Sequence, residues 1–323
     1  MNNRNTLTLK RMMFFIARLG TFLLLTLSFI GHASSLPTVS EMSFITGTKA
    51  DVFYHRAGGV DLKLDIYGPG KNVWLSGEKP ALPTVIYFHG GGWMKGSKAH
   101  APMQLMPYVQ QGWMVVSVQY RLGGDALAPA AVEDARCAVW WVKRHAEAYG
   151  FDPDRIVLSG SSAGGHLALI TGMLPASAGY DRSCPERDDK LFGPTTTREL
   201  EVAAIVNWAG VTDIEDLIVG DNISAYAVAW LGAQPERREL ARKISPIHYV
   251  RKTLPPIITL HGDKDQIAPY SHAVRLHKAL DQAGVDNQLH TITGREHFVD
   301  FTAEDSALAY QAMFQFLDNY LIQ

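Results

Sequence analysis

A chain of 323 residues, 47% hydrophobic and 19% charged, has apolar material for one large α/β domain or two small ones, which excludes a disordered or fibrous chain. Its formal charge is −2, and residues 1–33 carry four basic groups, Arg4, Lys10, Arg11 and Arg18, and no acidic one. This balance gives no reason to expect nucleic acid or an anionic membrane surface as a partner.

The chain begins with a targeting pattern. A basic stretch ends at Arg18, an apolar run covers Leu19 to Ile30, and Gly31 and Ala33 are small. This predicts a signal peptide over residues 1–33, cleaved after Ala33, and a periplasmic or secreted product. The alternative is an uncleaved anchor, but the apolar run is short for a bilayer span of about 30 Å. No cysteine lies near the cut, which argues against a lipid-modified terminus. No stable membrane anchor is therefore expected after cleavage, and residues 34–323 are expected to form a single catalytic domain.

After a leader to roughly Glu41, Asp61–Tyr67 alternates polar and apolar as a half-buried strand does. Thr84–Phe88 reads as a buried strand opening into His89-Gly90-Gly91-Gly92-Trp93, and Trp113–Tyr120 is another strand. Alanines and Val142 recur at helical spacing over Pro129–Tyr149, with Gly150 as the stop. Arg155–Leu158 is a strand and a helix-compatible stretch follows Gly165. Met173 to Arg198 is polar and irregular, which predicts a surface insertion near the mouth of any site built on the preceding helix. Val202–Trp208, Pro256–Leu260 and Gln288–Ile292 are predicted strands; Ser271–Ala283 and Ala303–Leu321 are predicted helices. Asp213–Ala241 is helical in composition and is expected to contribute to a lid. Strands alternating with helices predict a mostly parallel sheet covered on both faces.

Gly160-Ser161-Ser162-Ala163-Gly164 fits Gly-x-Ser-x-Gly between a predicted strand and a helix, the context of a nucleophile elbow. An unperturbed serine hydroxyl is a poor nucleophile and needs a base and an orienting acid. Asp265 and His297 supply them in the chain order expected of this motif, each in a loop just past a predicted strand. Asp263 competes with Asp265 but follows Gly262 at once, as a turn-capping residue would. His290 competes with His297 but lies within a strand, while His166 and His261 read as structural hydrogen-bonding groups. Ser161 is off the central position. The three glycines after His89 let backbone amides approach a reacting carbonyl, so Gly91 and Ala163, assisted by Gly90, are the expected oxyanion donors. No cofactor is implied, and no Cys/His spacing suggests a metal. An even cysteine count in an exported chain permits a Cys137–Cys184 disulfide; the alternative is two unlinked thiols.

The motifs His89-Gly90-Gly91-Gly92-Trp93, Tyr120-Arg121-Leu122, Gly160–His166 and His261–Asp265, with His297, resemble those of hormone-sensitive-lipase-like and feruloyl-esterase-like bacterial carboxylesterases. The resemblance covers roughly residues 45–321. It implies an α/β-hydrolase fold, a mostly parallel eight-stranded sheet with helices on both faces and a small lid or insertion. It further implies a serine carboxylesterase with a Ser162–His297–Asp265 triad acting on a small-molecule ester. Arylformamidase and peptidase activities use the same parts, and a catalytically dead binding protein is a further alternative. Arg295 and Glu296 depart from the small residues common before the histidine, a departure expected to narrow the site or add a polar contact.

Overall fold

The computed structural model describes residues 47–70, 73, 81–99, 102–185, 200–298 and 301–321. The predicted signal segment lies outside them, as do residues 186–198 of the polar excursion. In chain order the elements are strands β1 (Gly47–Ala57), β2 (Val60–Gly68) and β3 (Leu82–Phe88), helix α1 (Pro102–Gln110), β4 (Met114–Val118), α2 (Ala130–Arg144) and the one-turn α3 (Ala146–Tyr149). There follow β5 (Phe151–Ser161), α4 (Ala163–Met173), β6 (Ala204–Trp208), α5 (Ala225–Leu231), α6 (Arg237–Lys243), β7 (Ile257–Gly262), α7 (Tyr270–Ala283), β8 (Asn287–Ile292) and α8 (Ala303–Leu321).

The eight strands form one sheet in the order β1-β2-β4-β3-β5-β6-β7-β8. The β1–β2 and β2–β4 pairs are antiparallel and the rest are parallel. The fold is therefore an α/β-hydrolase fold with the mostly parallel sheet expected. The central strands β4 and β6 are buried at every position, because helices cover both faces. Alternation along β5 splits the core: Ile156 and Leu158 pack in the layer that holds α2, α4 and α7 residues, whereas Val157 packs with α1 and α8.

Two elements differ from the sequence reading. The edge strand β1 has no predicted counterpart: its pairing is interrupted twice, and Asp51 at one break sits at φ 56°. The stretch from Asp213, read as helical in composition, is helical only in two seven-residue pieces, α5 and α6, the second running on to Lys243. Gly220 and Gly232, both at positive φ, interrupt the run.

Placement of the polar excursion also departs from expectation. A helix following a parallel strand runs back across the sheet, so α4 ends at the edge opposite its own N-terminus. Arg136 donates from its guanidinium to the carbonyls of Thr171 and Leu174 at that far end, and pairs with Asp181 at 2.9 Å with both side chains buried. Trp140 Nε1 donates to the same Asp181 carboxylate at 3.0 Å. Cys137 and Cys184 are joined in a disulfide beside this pair. The described part of the excursion is thus fastened to α2 about 16 Å from the elbow, the length of the 11-residue α4. Residues 173–185 therefore do not lie at the mouth of the site.

Candidate active site

Ser162 joins β5 to α4 with φ 55° and ψ −119°, a backbone conformation that L-residues avoid. Its amide donates to the Trp208 carbonyl on β6 at 2.8 Å, which holds the elbow against the neighbouring strand. The turn is tight because backbones meet there: any Cβ on Gly164 would overlap the Phe88 carbonyl. Ala163 and Gly164 open α4, where amides have no partner inside the helix and the dipole favours negative charge. Ser161 is engaged elsewhere, accepting from the Tyr87 hydroxyl at 3.1 Å.

The glycine loop leaves β3 directly beside the elbow. A Cβ on Gly90 would lie 3.5 Å from Ser162 Cβ, so the loop backbone runs against the serine. Gly91 and Gly92 have φ 122° and 61°, and the Gly91 carbonyl accepts from Met94 and Lys95 at 3.1 Å. The loop is secured from behind. Tyr120 stacks on the His89 ring and donates to the His89 carbonyl at 2.8 Å. Further along, Lys98 reaches the buried Asp65 at 2.6 Å, and Ser117 Oγ donates to the Lys98 carbonyl. The Gly90 backbone is therefore brought against Ser162, with Gly91 next in the loop and Ala163 next in the chain.

Asp265 follows β7 and His297 follows β8, at the same sheet edge as the elbow. His297 Nδ1 lies 2.6 Å from Asp265 Oδ2. The other carboxylate oxygen accepts the amides of Ile267 and Ala268 at 2.8 and 2.9 Å, which fixes its plane. His261 Nε2 faces Asp265 Oδ2 at 3.0 Å and the Ala268 carbonyl at 2.9 Å. Both neighbours are acceptors, so that nitrogen carries the proton and donates. Burial would raise the Asp265 carboxyl, but the hydrogen bonds and charge interactions with His261 and His297 outweigh it and hold the group well below the usual carboxylate range. Asp263 accepts from the Gly294 amide at 2.6 Å and serves the turn.

The remaining histidines are placed away from this chemistry. His166 is fully buried, bonds the Ile244 carbonyl through Nε2 at 2.7 Å, and is pushed down to about 4 by burial. His290 lies on the edge strand β8. Arg295 forms an ion pair with Asp305 on α8 at 2.7 Å, and Glu296 is exposed. Among the described residues no cluster of three or more His, Cys, Asp or Glu side chains could hold a metal. No helix among them is long and apolar enough to cross a membrane.

Two residues beside the site escape sequence reading. Phe298 has φ 63° and sets its ring edge-on to the His297 imidazole, with centroids 5.1 Å apart. Tyr226 on α5 packs against Gly92, and its hydroxyl donates to the Ile267 carbonyl. No local motif marks either one, because both contacts are tertiary.

Comparison with known proteins places the chain. The BD-FAE family model matches residues 64–280. Esterase LipC of Mycobacterium tuberculosis is 29% identical over 211 residues, covering 62% of this chain and 49% of that protein. Carboxylesterase NlhH of the same organism is 32% identical over 213 residues, covering 66% of this chain and 65% of its own length. The chain spans about half the length of the curated relatives it matches first. Among solved structures, a truncated form of a carbohydrate esterase from gut microbiota superposes with TM-score 0.69 at 25% identity, covering 87% of this chain and 98% of that one. The propionate-bound Thermogutta terrifontis esterase Est2 gives TM-score 0.66 at 29% identity, over 87% and 94% of the two chains. Since the family match runs from β2 to α7 and takes in the glycine loop, the elbow and Asp265, this chain belongs to the BD-FAE family and carries its α/β-hydrolase fold.

Proposed function

We propose that the protein is an exported serine carboxylesterase. The observation that carries this reading is the elbow itself: Ser162 is held at φ 55° with the Gly90 backbone against it, at the sheet edge where His297 meets Asp265. The esterase names of the relatives support it. Ser162 Oγ attacks the ester carbonyl carbon while His297 Nε2 takes its proton. The carbonyl oxygen becomes an oxyanion facing the amides of Gly90, Gly91 and Ala163. Collapse breaks the bond to the alcohol oxygen, which leaves with the proton from His297. Water, deprotonated by the same imidazole, then releases the acid and restores the serine. Asp265 keeps Nδ1 protonated and stabilises the imidazolium.

Export rests on the basic-then-apolar pattern of residues 1–33, and the Cys137–Cys184 bond suits an oxidising compartment. A fluorophosphonate probe tests the chemistry: it is expected to label the wild type and not Ser162→Ala. p-Nitrophenyl esters should be turned over, whereas preference for formylkynurenine or peptides would replace the ester reading. N-terminal sequencing of the mature protein from the periplasm or medium should begin at Ser34; an intact Met1 terminus would refute cleavage.

A further inference from the structure

Two aromatic side chains approach the site from opposite layers of the domain. Phe298 packs against the layer of α1 and α8, and Tyr226 against the layer of α2 and α4. We propose that Tyr226 is a specificity-determining residue, the wall that closes the acyl side of the site and restricts the ester to a short acyl group. This rests on the serine-esterase reading above.

The assignment follows from the directions around the attacked carbon. Its oxygen must face the glycine loop and the Ala163 amide. Its leaving oxygen must face His297, which protonates it, and Phe298 lies edge-on to that ring. The acyl substituent takes the remaining direction, away from His297 and along the glycine loop. Tyr226 stands against that loop at Gly92 and reaches from it to the Ile267 carbonyl. A Cβ on Gly92 would lie 3.0 Å from Tyr226 Cβ and 3.2 Å from its Cγ, so the loop and the tyrosine touch with no slot between them. The ring is also held. Its hydroxyl donates to the carbonyl of Ile267, two residues past Asp265. Behind it stands Trp93, with ring centroids 5.8 Å apart, and Trp93 is fully buried and stacked on the buried Trp230 at 4.3 Å. The tyrosine therefore has no room to retreat into the core and is tied at its tip.

Two ester series separate acyl from alcohol selectivity. One keeps p-nitrophenol and lengthens the acid from acetate to octanoate; the other keeps acetate and varies the alcohol through methyl, phenyl and 1-naphthyl. Tyr226→Ala is expected to raise the octanoate-to-acetate ratio of kcat/KM by about tenfold or more, with the alcohol ratios changed less than about twofold. Tyr226→Leu keeps the packing on Gly92 but withdraws the ring edge and hydroxyl, and is expected to move the acyl ratio the same way by about threefold. This second variant decides the matter if the alanine variant does not fold. Unchanged acyl ratios, or a change confined to the alcohol series, overturn the wall. A wild type that cleaves no ester in either series removes the esterase reading and the wall together, whereas an active wild type with unshifted variants removes the wall alone.

Discussion

Opening the Cys137–Cys184 bond should cost stability and leave the chemistry intact. The two cysteines are 47 positions apart, and cross-linking a loop of that size removes chain entropy worth about 4 kcal/mol from the unfolded state. For a domain of this length the entropy of unfolding is about 0.6 kcal/mol per degree, so Tm should fall by about 7 °C. The buried Arg136–Asp181 pair still holds the excursion to the end of α4, which keeps the loss from growing into unfolding at ordinary temperatures. Because the bridge stands the length of α4 from Ser162, kcat and KM for a p-nitrophenyl ester should change less than about twofold. The assay compares urea and thermal unfolding of the wild type with a Cys137→Ala/Cys184→Ala variant, followed by steady-state kinetics well below Tm. An unchanged Tm would refute the loop-entropy reasoning. A several-fold rise in KM would refute the distal placement of the excursion.

Ser162→Ala should lower kcat by about 10⁶, whereas Ser161→Ala, which loses one bond to Tyr87, should retain most activity; the reverse order would shift the elbow by one residue. Asp265→Asn should cost on the order of 10⁴ in kcat through loss of the His297 tautomer, and Asp263→Asn far less, measured on the same ester. Stability should also fall in mild acid. His166 is driven by burial from 6.5 to about 4, so the unfolded chain binds a proton that the folded chain refuses. Stability is full above pH 6.5 and drops by about 3 kcal/mol for this group as pH falls to about 4, with buried His272 and His277 acting in the same direction. Urea midpoints across that window check it, and a flat profile would show that His166 is solvated when folded.

The residues proposed to carry the chemistry were legible as candidates because each sits in a short local pattern. The glycines around Ser162 and after His89 answer to backbone approach, and Asp265 and His297 each close a strand readable from its apolar run. What local pattern does not encode is which side chain arrives from elsewhere. Tyr226 lies in a segment of helical composition that glycines at 220 and 232 interrupt, and its contacts are with Gly92 and Ile267. The strand β1 hides its period behind two breaks in register. The described start of the excursion was misplaced for a different reason: nearness in sequence to the elbow helix was read as nearness to the elbow, although a helix crossing back over the sheet carries its end to the opposite edge.

The conformation of Ser162 has a consequence for how this chain can change. A residue at φ 55° with a Cβ carries a backbone penalty of about 1–3 kcal/mol that glycine would not. Drift or engineering that rewards only thermal endurance therefore pulls this position toward glycine, and the same step deletes the proposed nucleophile. Heat-selected lineages freed from a demand for turnover should lose activity first at the elbow, becoming sturdier binders of the same molecules they no longer cleave.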